Sequence, residues 1–406
     1  MKPRQSLKLR LTPLHRQVQF QSAVRLIQSL RDEGFETVFA GGCVRDSLLG
    51  VVPKDLDIAT AAPPTTVETL FPRTLAVGKA FGTIVVIEDG HNFEVTTFRR
   101  EGGYTDGRHP SQVEFTDLAE DASRRDFTVN ALFYDPLEEK IIDCVNGMQD
   151  LSDRRLRTVG RAEERFAEDY LRMLRAPRFV AQLGFALDEE ASNAIHKLHH
   201  HITQVSAERI FMEMRRLLSS QFLIQGLSTL RATQLEVEVW PEARPADFNK
   251  LSAFMPFLGW ENAFAAITLL AGGTSGEPRL RAWKAPRESM KRVQQQIDGC
   301  RTLQNPDAGR AARARIMGGE VYAETLQLAR GFHGDQSVKE WIQEYLDITG
   351  PTGVLPKPFL NGQDLLASGI PPGEKMGVFL KTLYDEQLAG KLRSKDEALE
   401  RLKTLD

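Results

Sequence analysis

The chain has 406 residues, a formal net charge of -3 and 41% hydrophobic residues. That length suits two to four modules, and the apolar fraction builds real cores, which excludes global disorder. No run of eighteen apolar residues occurs, so no membrane span is expected; the charge does not advertise a nucleic-acid binder, although a local basic surface still holds phosphates within a Debye length of roughly 8–10 Å.

The basic start, MKPRQSLKLRLTPLHRQ, lacks the apolar core of a secretory signal and reads as a short arm with a charge role, a mitochondrial transit peptide being the alternative. Cys43, Cys144 and Cys300 are far apart and odd in number, so neither a disulfide framework nor a zinc site is expected, and a reducing, cytoplasmic compartment fits. Residues 17–34 have helical apolar spacing that ends on Gly34. FETVFAGG then reads as a strand running into paired glycines, CVRDSLLG as a helix opening, and PKDLDIAT as an alternating strand. Residues 83–98 read as two strands joined through Asp89-Gly90, a hairpin signal. Residues 99–112 are rich in glycine and charge and predict a mobile loop, followed by a helix around RRDFTVNALFY. From Arg161 onward strands stop and helical periodicity dominates, with breaks at 240–246, 271–278 and 350–358.

Asp55 and Asp57 are two apart in the strand-like run, which puts both carboxylates on one face. They repel unless a cation lies between them, and such hard oxygen donors suit Mg²⁺. Glu94, between Phe93 and Val95, repeats the pattern on a nearby strand, so three carboxylates could hold two metals for an in-line phosphoryl displacement. Upstream, with twelve residues between Gly42 and Asp55, Gly41 and Gly42 open a helix, where side-chain-free backbone lets N–H groups approach an anion. Arg45, on the first helical turn, could reach a triphosphate.

GGCVRDSLLG followed by PKDLDIAT resembles the first motif of the class II tRNA nucleotidyltransferase and bacterial poly(A) polymerase family. RRDFTVNAL (124–132) is similar to the family's ribose-recognition motif, GMQDLSDRRLRTVG (147–160) to its head-to-neck hinge, EDYLRMLRAPRF (168–179) to its base-selecting helix, and SAERIFMEMRRLL (206–218) to the helix that braces it. FLNGQDLLASGIPPGEKMGVFL (359–380) is similar to tail segments of bacterial CCA-adding enzymes. The resemblance implies an α+β fold: a polymerase-β-like nucleotidyltransferase head, with a mixed sheet and helices, followed by an all-α neck, body and tail. The expected boundaries are 1–147 for the head, 148–220 for the neck, 221–350 for the body and 351–406 for the tail. It implies CCA addition to the tRNA 3′ end from CTP and ATP, with two Mg²⁺ ions on Asp55, Asp57 and Glu94.

Arg125, Asp126 and Asn130 are expected on one helix, with 126 and 130 stacked four apart, and the resemblance makes them ribose selectors. Asp169 and Arg172 are three apart and so share a helix face. A carboxylate accepts and a guanidinium donates, so one Asp–Arg pair fits the amino group beside a ring nitrogen in cytosine and adenine, and rejects uracil and guanine. The resemblance gives Asp169 and Arg172 this role, with Glu168 and Arg175 orienting them and Arg178 on the same nucleotide-binding helix. Residues 99–108 suit a loop that moves as specificity changes from C to A. His196, His199, His200 and His201 have metal-like spacing but no aspartate partner and read as an exposed helix end. Arg281, Lys284, Arg287, Lys291 and Arg292 follow an approximate helical spacing, either a solvated face or a phosphate-contacting surface for the tRNA acceptor arm. The tail reaches the tRNA elbow by analogy, and no obligate protein partner is evident. Poly(A) polymerase is the alternative activity, although VGKAFGTIVV (77–86) is more similar to the CCA-adding pattern. A-only or CC-only addition stays open. The three carboxylates argue against a catalytically silent RNA-binding protein, and the long helical extension against a small-molecule nucleotidyltransferase.

Overall fold

The computed structural model describes residues 11–104 and 110–405. The expectation for the N-terminal arm lies largely outside the described residues, as does the centre of the expected switch loop. Two compact units are present, one holding the described residues through Glu213 together with Ser220–Val239, the other Met214–Ser219 with Trp240 onward.

In the first unit the helix Phe20–Asp32 precedes β1 (Thr37–Ala40), and Gly34 ends it at φ 86°. The helix Gly42–Leu48 follows directly, then β2 (Ile58–Thr60), β3 (Thr74–Leu75), β4 (Thr83–Glu88) and β5 (His91–Thr97). Asp89 and Gly90 have φ 50° and 78°, the left-handed pair that a two-residue hairpin needs. β6 (Arg99–Tyr104) and β7 (Pro110–Phe115) form a separate antiparallel ribbon. The segment read as a loop is thus mostly strand, because glycine and charge lower strand propensity without forbidding a two-stranded ribbon; residues 105–109 lie outside the described residues. β8 (Leu132–Asp135) and β9 (Lys140–Asp143) complete a seven-stranded sheet of order β3-β4-β5-β2-β1-β8-β9. It is mixed: β2 and β5 run parallel, and the other neighbours run antiparallel.

β1 is buried on both faces. Val38 and Ala40 join Ala59, Phe98, Phe133 and the helix residues Leu118 and Ala122 in one core, while Phe39 points the other way and stacks on Phe20 at 5.7 Å. RRDFTVNALFY does not form the expected helix. A helix ends at Ser123, Phe127 is extended, Thr128–Asn130 is a single 3-10 turn, and β8 begins at Leu132. The β-branched and aromatic run Phe127-Thr128-Val129 and the demand for a strand beside β1 override the helical reading.

The helices Ala162–Glu168, Leu171–Leu183 and Glu189–Leu198 follow, with one exception to the end of strands at Arg161: β10 (Arg155–Leu156) pairs in parallel with β11 (Ala186–Leu187). Helix Leu223–Ala232 lies close against Leu171–Leu183, where a Cβ on Gly226 would stand 2.5 Å from the Ala181 methyl, so glycine permits the approach.

The second unit is helical among the described residues. Trp240 stacks on Phe264 at 4.5 Å in its core, and the chain ends in helices Gly362–Ala367, Glu374–Leu388 and Lys395–Leu402 around Leu365, Phe379 and Leu383. The basic series 281–292 is not one helical stripe. Glu277–Ala282 and Arg287–Gln304 are separate helices, and Lys284 between them has φ 55°. Arg281 pairs with Glu277 and Arg292 with Glu324, so these two cations are matched by acids within the protein. No described helix is long and apolar enough to cross a membrane.

Candidate active site

β2 is shorter than expected. Ile58 begins it, Asp55 lies in a bend and Asp57 immediately precedes the strand. The ladder still reaches Asp57, whose carbonyl accepts from Ala40 N at 3.0 Å. Because Ile58 pairs with Val95, the next step of the register sets Asp57 beside Glu94, on the face that Ala40 and Ala59 share. Asp55, Asp57 and Glu94 are exposed while Leu56, Phe93 and Val95 are buried, so the aliphatics anchor the sheet and the acids line its open end.

Asp57 is open to solvent on one side, but the chain packed around its carboxyl strips away part of its water; that desolvation, then Glu94, then Asp55 push the carboxyl up to about 6, and Arg125 opposes them. Among the described residues nothing hydrogen-bonds to these three carboxylates, and no three His, Cys, Asp or Glu side chains close into a metal cage. Asp57 and Glu94 share one face beside Asp55, Arg125 opposes the charge on Asp57, and such hard oxygen donors suit a divalent cation. A carboxyl raised on folding costs stability above its unfolded pKa, and the cost grows as pH rises from about 4 to about 6. The expected outcome is that Asp57→Asn, measured at pH 7 without divalent cation, resists urea better than the parent chain; at pH 4 the two should converge. An Asn variant less stable than the parent at pH 7 would show that the carboxylate is satisfied.

Gly41 turns the chain at φ 70°, and a Cβ there would stand 2.8 Å from Arg125 Nη1. Its N–H is already committed to Leu132 O at 2.9 Å, and Gly42 starts the helix. Arg45 is buried and does not point freely outward: it holds Asp46 Oδ1 at 2.6 and 2.8 Å and donates to Asn130 Oδ1. Arg125 donates to the Asn130 carbonyl at 2.9 Å and to Asp121 Oδ2 at 3.0 Å. Asp126 and Asn130, although not on one helix, are joined by Asn130 Nδ2 to Asp126 Oδ1 at 3.0 Å. Burial would raise the Asp126 carboxyl, but the Arg175 charge and hydrogen bonds from Asn130, Arg175 and the Phe127 amide hold it well below the usual range. The turn that carries Asn130 is pinned in turn by Thr128 Oγ1 to Asp150 at 2.6 Å.

Asp169 and Arg172 do not share a helix face. Asp169 is extended at the break between two helices, with Oδ1 accepting from Leu171 N at 3.0 Å and Oδ2 from Arg209 at 2.6 Å. An aspartate that can accept from amides two residues on prefers that break to a helix interior. Arg172 is buried, donates to Glu168, and reaches the Arg165 and Arg124 carbonyls at 3.1 and 3.2 Å. Glu168 thus orients Arg172, whereas Arg175 binds Asp126 at 2.7 Å. Arg178 pairs with Glu213 at 2.7 Å. Arg209 and Glu213 were not singled out in the sequence; their only signal is a place on the amphipathic stretch 206–218. Of the histidines, His201 stacks on Tyr170 at 4.7 Å and His199 lies 3.3 Å from Glu238.

A mixed sheet with acids just before β2 and on β5, beside a glycine turn and a helical neck, is the architecture of a nucleotidyltransferase. Family models match in chain order: "Poly A polymerase head domain" over residues 37–157, "Probable RNA and SrmB-binding site of polymerase A" over 184–246, and "tRNA nucleotidyltransferase domain 2 putative" over 259–402. The chain is 34% identical over 393 residues to a CCA-adding enzyme of Lactococcus lactis subsp. cremoris, covering 94% of this chain and 95% of that one. It is 42% identical over 271 residues to a CCA-adding enzyme of Geobacillus thermodenitrificans, covering 66% and 67%. The solved structure of the Bacillus stearothermophilus CCA-adding enzyme in complex with CTP matches with a TM-score of 0.80 at 30% identity over 96% of this chain and 98% of that one. The chain belongs to the class II tRNA nucleotidyltransferase family, and within it is most like the CCA-adding enzymes.

Proposed function

We propose that the protein adds CCA to the 3′ end of tRNA from CTP and ATP, in the cytoplasm. The observation that carries the chemistry is the crowding of Asp57, just before β2, by Glu94 on β5 and by Asp55, which raises its carboxyl against the opposing charge of Arg125. Asp55, Asp57 and Glu94 would hold two Mg²⁺ ions, which supply charge neutralisation at the transferred phosphoryl group and activation of the attacking hydroxyl. The chain's own groups supply the rest. Gly41 leaves room for the Arg125 guanidinium beside the turn, and Gly42 opens the helix that carries Arg45. Arg125 sets a positive charge against Asp57. Asp126 and Asn130 meet the ribose, with Arg45, Arg125 and Arg175 fixing them. Asp169 and Arg172 present an acceptor and a donor to the base edge, and Arg209 and Glu168 hold them. Arg178 completes the nucleotide-binding helix. The head (1–147) does the chemistry, the neck (148–220) reads the base, and the body (221–350) and tail (351–406) take the acceptor arm and elbow. That the relatives named above are CCA-adding enzymes, one of them bound to CTP, supports this over poly(A) synthesis.

The test supplies Mg²⁺ with tRNA lacking CCA, tRNA ending at C75, or an unrelated RNA, and reads products at single-nucleotide length with CTP, ATP or both. Three added nucleotides on the first substrate and one on the second are expected. Long A tracts on unrelated RNA would establish poly(A) polymerase instead. In the same assay Asp169→Ala or Arg172→Ala should lower the CTP over UTP preference by about tenfold to a hundredfold, since one such contact discriminates by roughly 1–3 kcal/mol. Equal loss with both nucleotides would remove the pair from base reading.

A further inference from the structure

We propose that Phe179 is a positioning residue whose ring, beset by three guanidinium groups, ties the ribose-side pair Asp126 and Asn130 to the base-reading helix. The inference rests on the nucleotide site described above and adds a residue that nothing in that site requires.

Phe179 lies on the helix Leu171–Leu183 and is 4% exposed. The guanidinium carbons of Arg45, Arg175 and Arg178 lie 5.4, 5.3 and 3.4 Å from its ring centroid, all within cation–π reach. Three cations around one buried ring repel one another. Each is therefore matched by its own carboxylate: Arg45 by Asp46, Arg175 by Asp126, and Arg178 by Glu213. A carboxylate neutralises a guanidinium and fixes one of its edges, but the plane can still swing about that edge. Packing against an aromatic ring restricts that swing.

Two of the three arginines end a single polar chain. Arg45 donates to Asn130 Oδ1, Asn130 Nδ2 donates to Asp126 Oδ1 at 3.0 Å, and Arg175 Nε donates to Asp126 Oδ2 at 2.7 Å. Both ends of this chain rest on the same ring, so Phe179 closes it into a loop. The ring also meets Phe127, the neighbour of Asp126, edge to face at 5.6 Å and 79°. A displacement of Phe179 moves Arg45, Arg175 and Phe127 together, and through them both ribose-side groups. The position of the base-reading helix is thereby passed to the sugar contacts, so base and ribose are read in one geometry. A buried phenylalanine on an apolar helix face is ordinary core; one with three arginines around it is not, because an aliphatic side chain of similar bulk would give them no π system.

The full-length protein carrying Phe179→Leu, Phe179→Met or Phe179→Tyr is compared with the parent on tRNA lacking CCA, with CTP, dCTP and UTP as nucleotides. Urea unfolding of each variant accompanies the kinetics, and Arg45→Lys, which keeps the charge beside Asp46 but loses the planar group, serves as a second route to the same contact. Leu, Met and Arg45→Lys should each raise KM for CTP and lower the CTP over dCTP preference, both by about tenfold, with kcat within about threefold. Tyr, which keeps the ring, should stay within about twofold of the parent on both. A parent chain that does not prefer CTP to dCTP would overturn the ribose-site reading, and this inference with it. A parent that does, with folded Leu and Met variants that keep its KM and preference, would overturn this inference alone. So would a Tyr variant as impaired as Leu, since bulk and not the ring would then be the cause.

Discussion

Asp55→Ala and Asp57→Ala should each lower nucleotide addition by about a thousandfold or more at saturating Mg²⁺, with tRNA binding little changed and neither variant less resistant to urea than the parent in the absence of divalent cation. Metal-based charge stabilisation contributes several kcal/mol to phosphoryl transfer, and about 4 kcal/mol corresponds to that factor. The fold should survive because both acids are exposed at the end of β2, and the neighbouring core contacts belong to Leu56 and Ile58. Asp57 is further disfavoured as an anion by Glu94 and Asp55, so its removal relieves repulsion. The same raised carboxyl predicts a pH profile. Addition at limiting Mg²⁺ should fall as pH drops through about 6, because protonated Asp57 is a poor metal ligand, and higher Mg²⁺ should move the fall to lower pH. Single-turnover rates across pH and Mg²⁺ measure both effects. Either alanine variant retaining more than a tenth of the parent rate would take that residue out of the metal site.

The parts of the fold legible in the sequence were those with local causes. Gly34 ends a helix, Asp89-Gly90 makes a hairpin, and the acid-aliphatic alternation around Asp57 and Glu94 marks a half-buried strand edge. Errors arose where a distant partner decides. Asp126 and Asn130 meet through a tight turn whose shape is set by β8 pairing with β1 and by Asp150 beneath Thr128, neither of which is local. Asp169 and Arg172 have helical spacing, but the aspartate serves a helix break and answers to Arg209, forty residues on. The types of side chain at the candidate site were more legible than their partners. The resemblance named Arg45 and Arg175 without revealing that they grip Asn130 and Asp126 from within the protein. Asp150, Phe179 and Glu213 fall inside the stretches that carry the resemblance, but nothing in their spacing says which side chains they hold.

Glu213→Ala should destabilise the first unit by about 3–5 kcal/mol, because it leaves a buried guanidinium without its counter-charge. Arg178 Nε donates to Glu213 Oε2 at 2.7 Å, and the two side chains are 6% and 3% exposed. Burial already pulls the Arg178 pKa down to about 10 against the opposing pull of Glu213, so the cation is held there under strain from desolvation. Gln182 offers one further acceptor at 2.7 Å, which satisfies a hydrogen bond but no charge. Glu213→Gln keeps the shape and an acceptor, and should therefore cost less than alanine. The double variant Arg178→Met with Glu213→Leu removes both charges and fills the space with apolar groups, and should recover most of the loss, because neither desolvation penalty remains. Urea unfolding of the full-length protein, followed by circular dichroism and by amide hydrogen exchange in the first unit, separates these cases in order of midpoint: parent and double variant highest, then glutamine, then alanine. An alanine variant that unfolds with the parent would mean that water reaches Arg178, and a double variant as weak as alanine would mean that the pair is worth more than the burial it prevents.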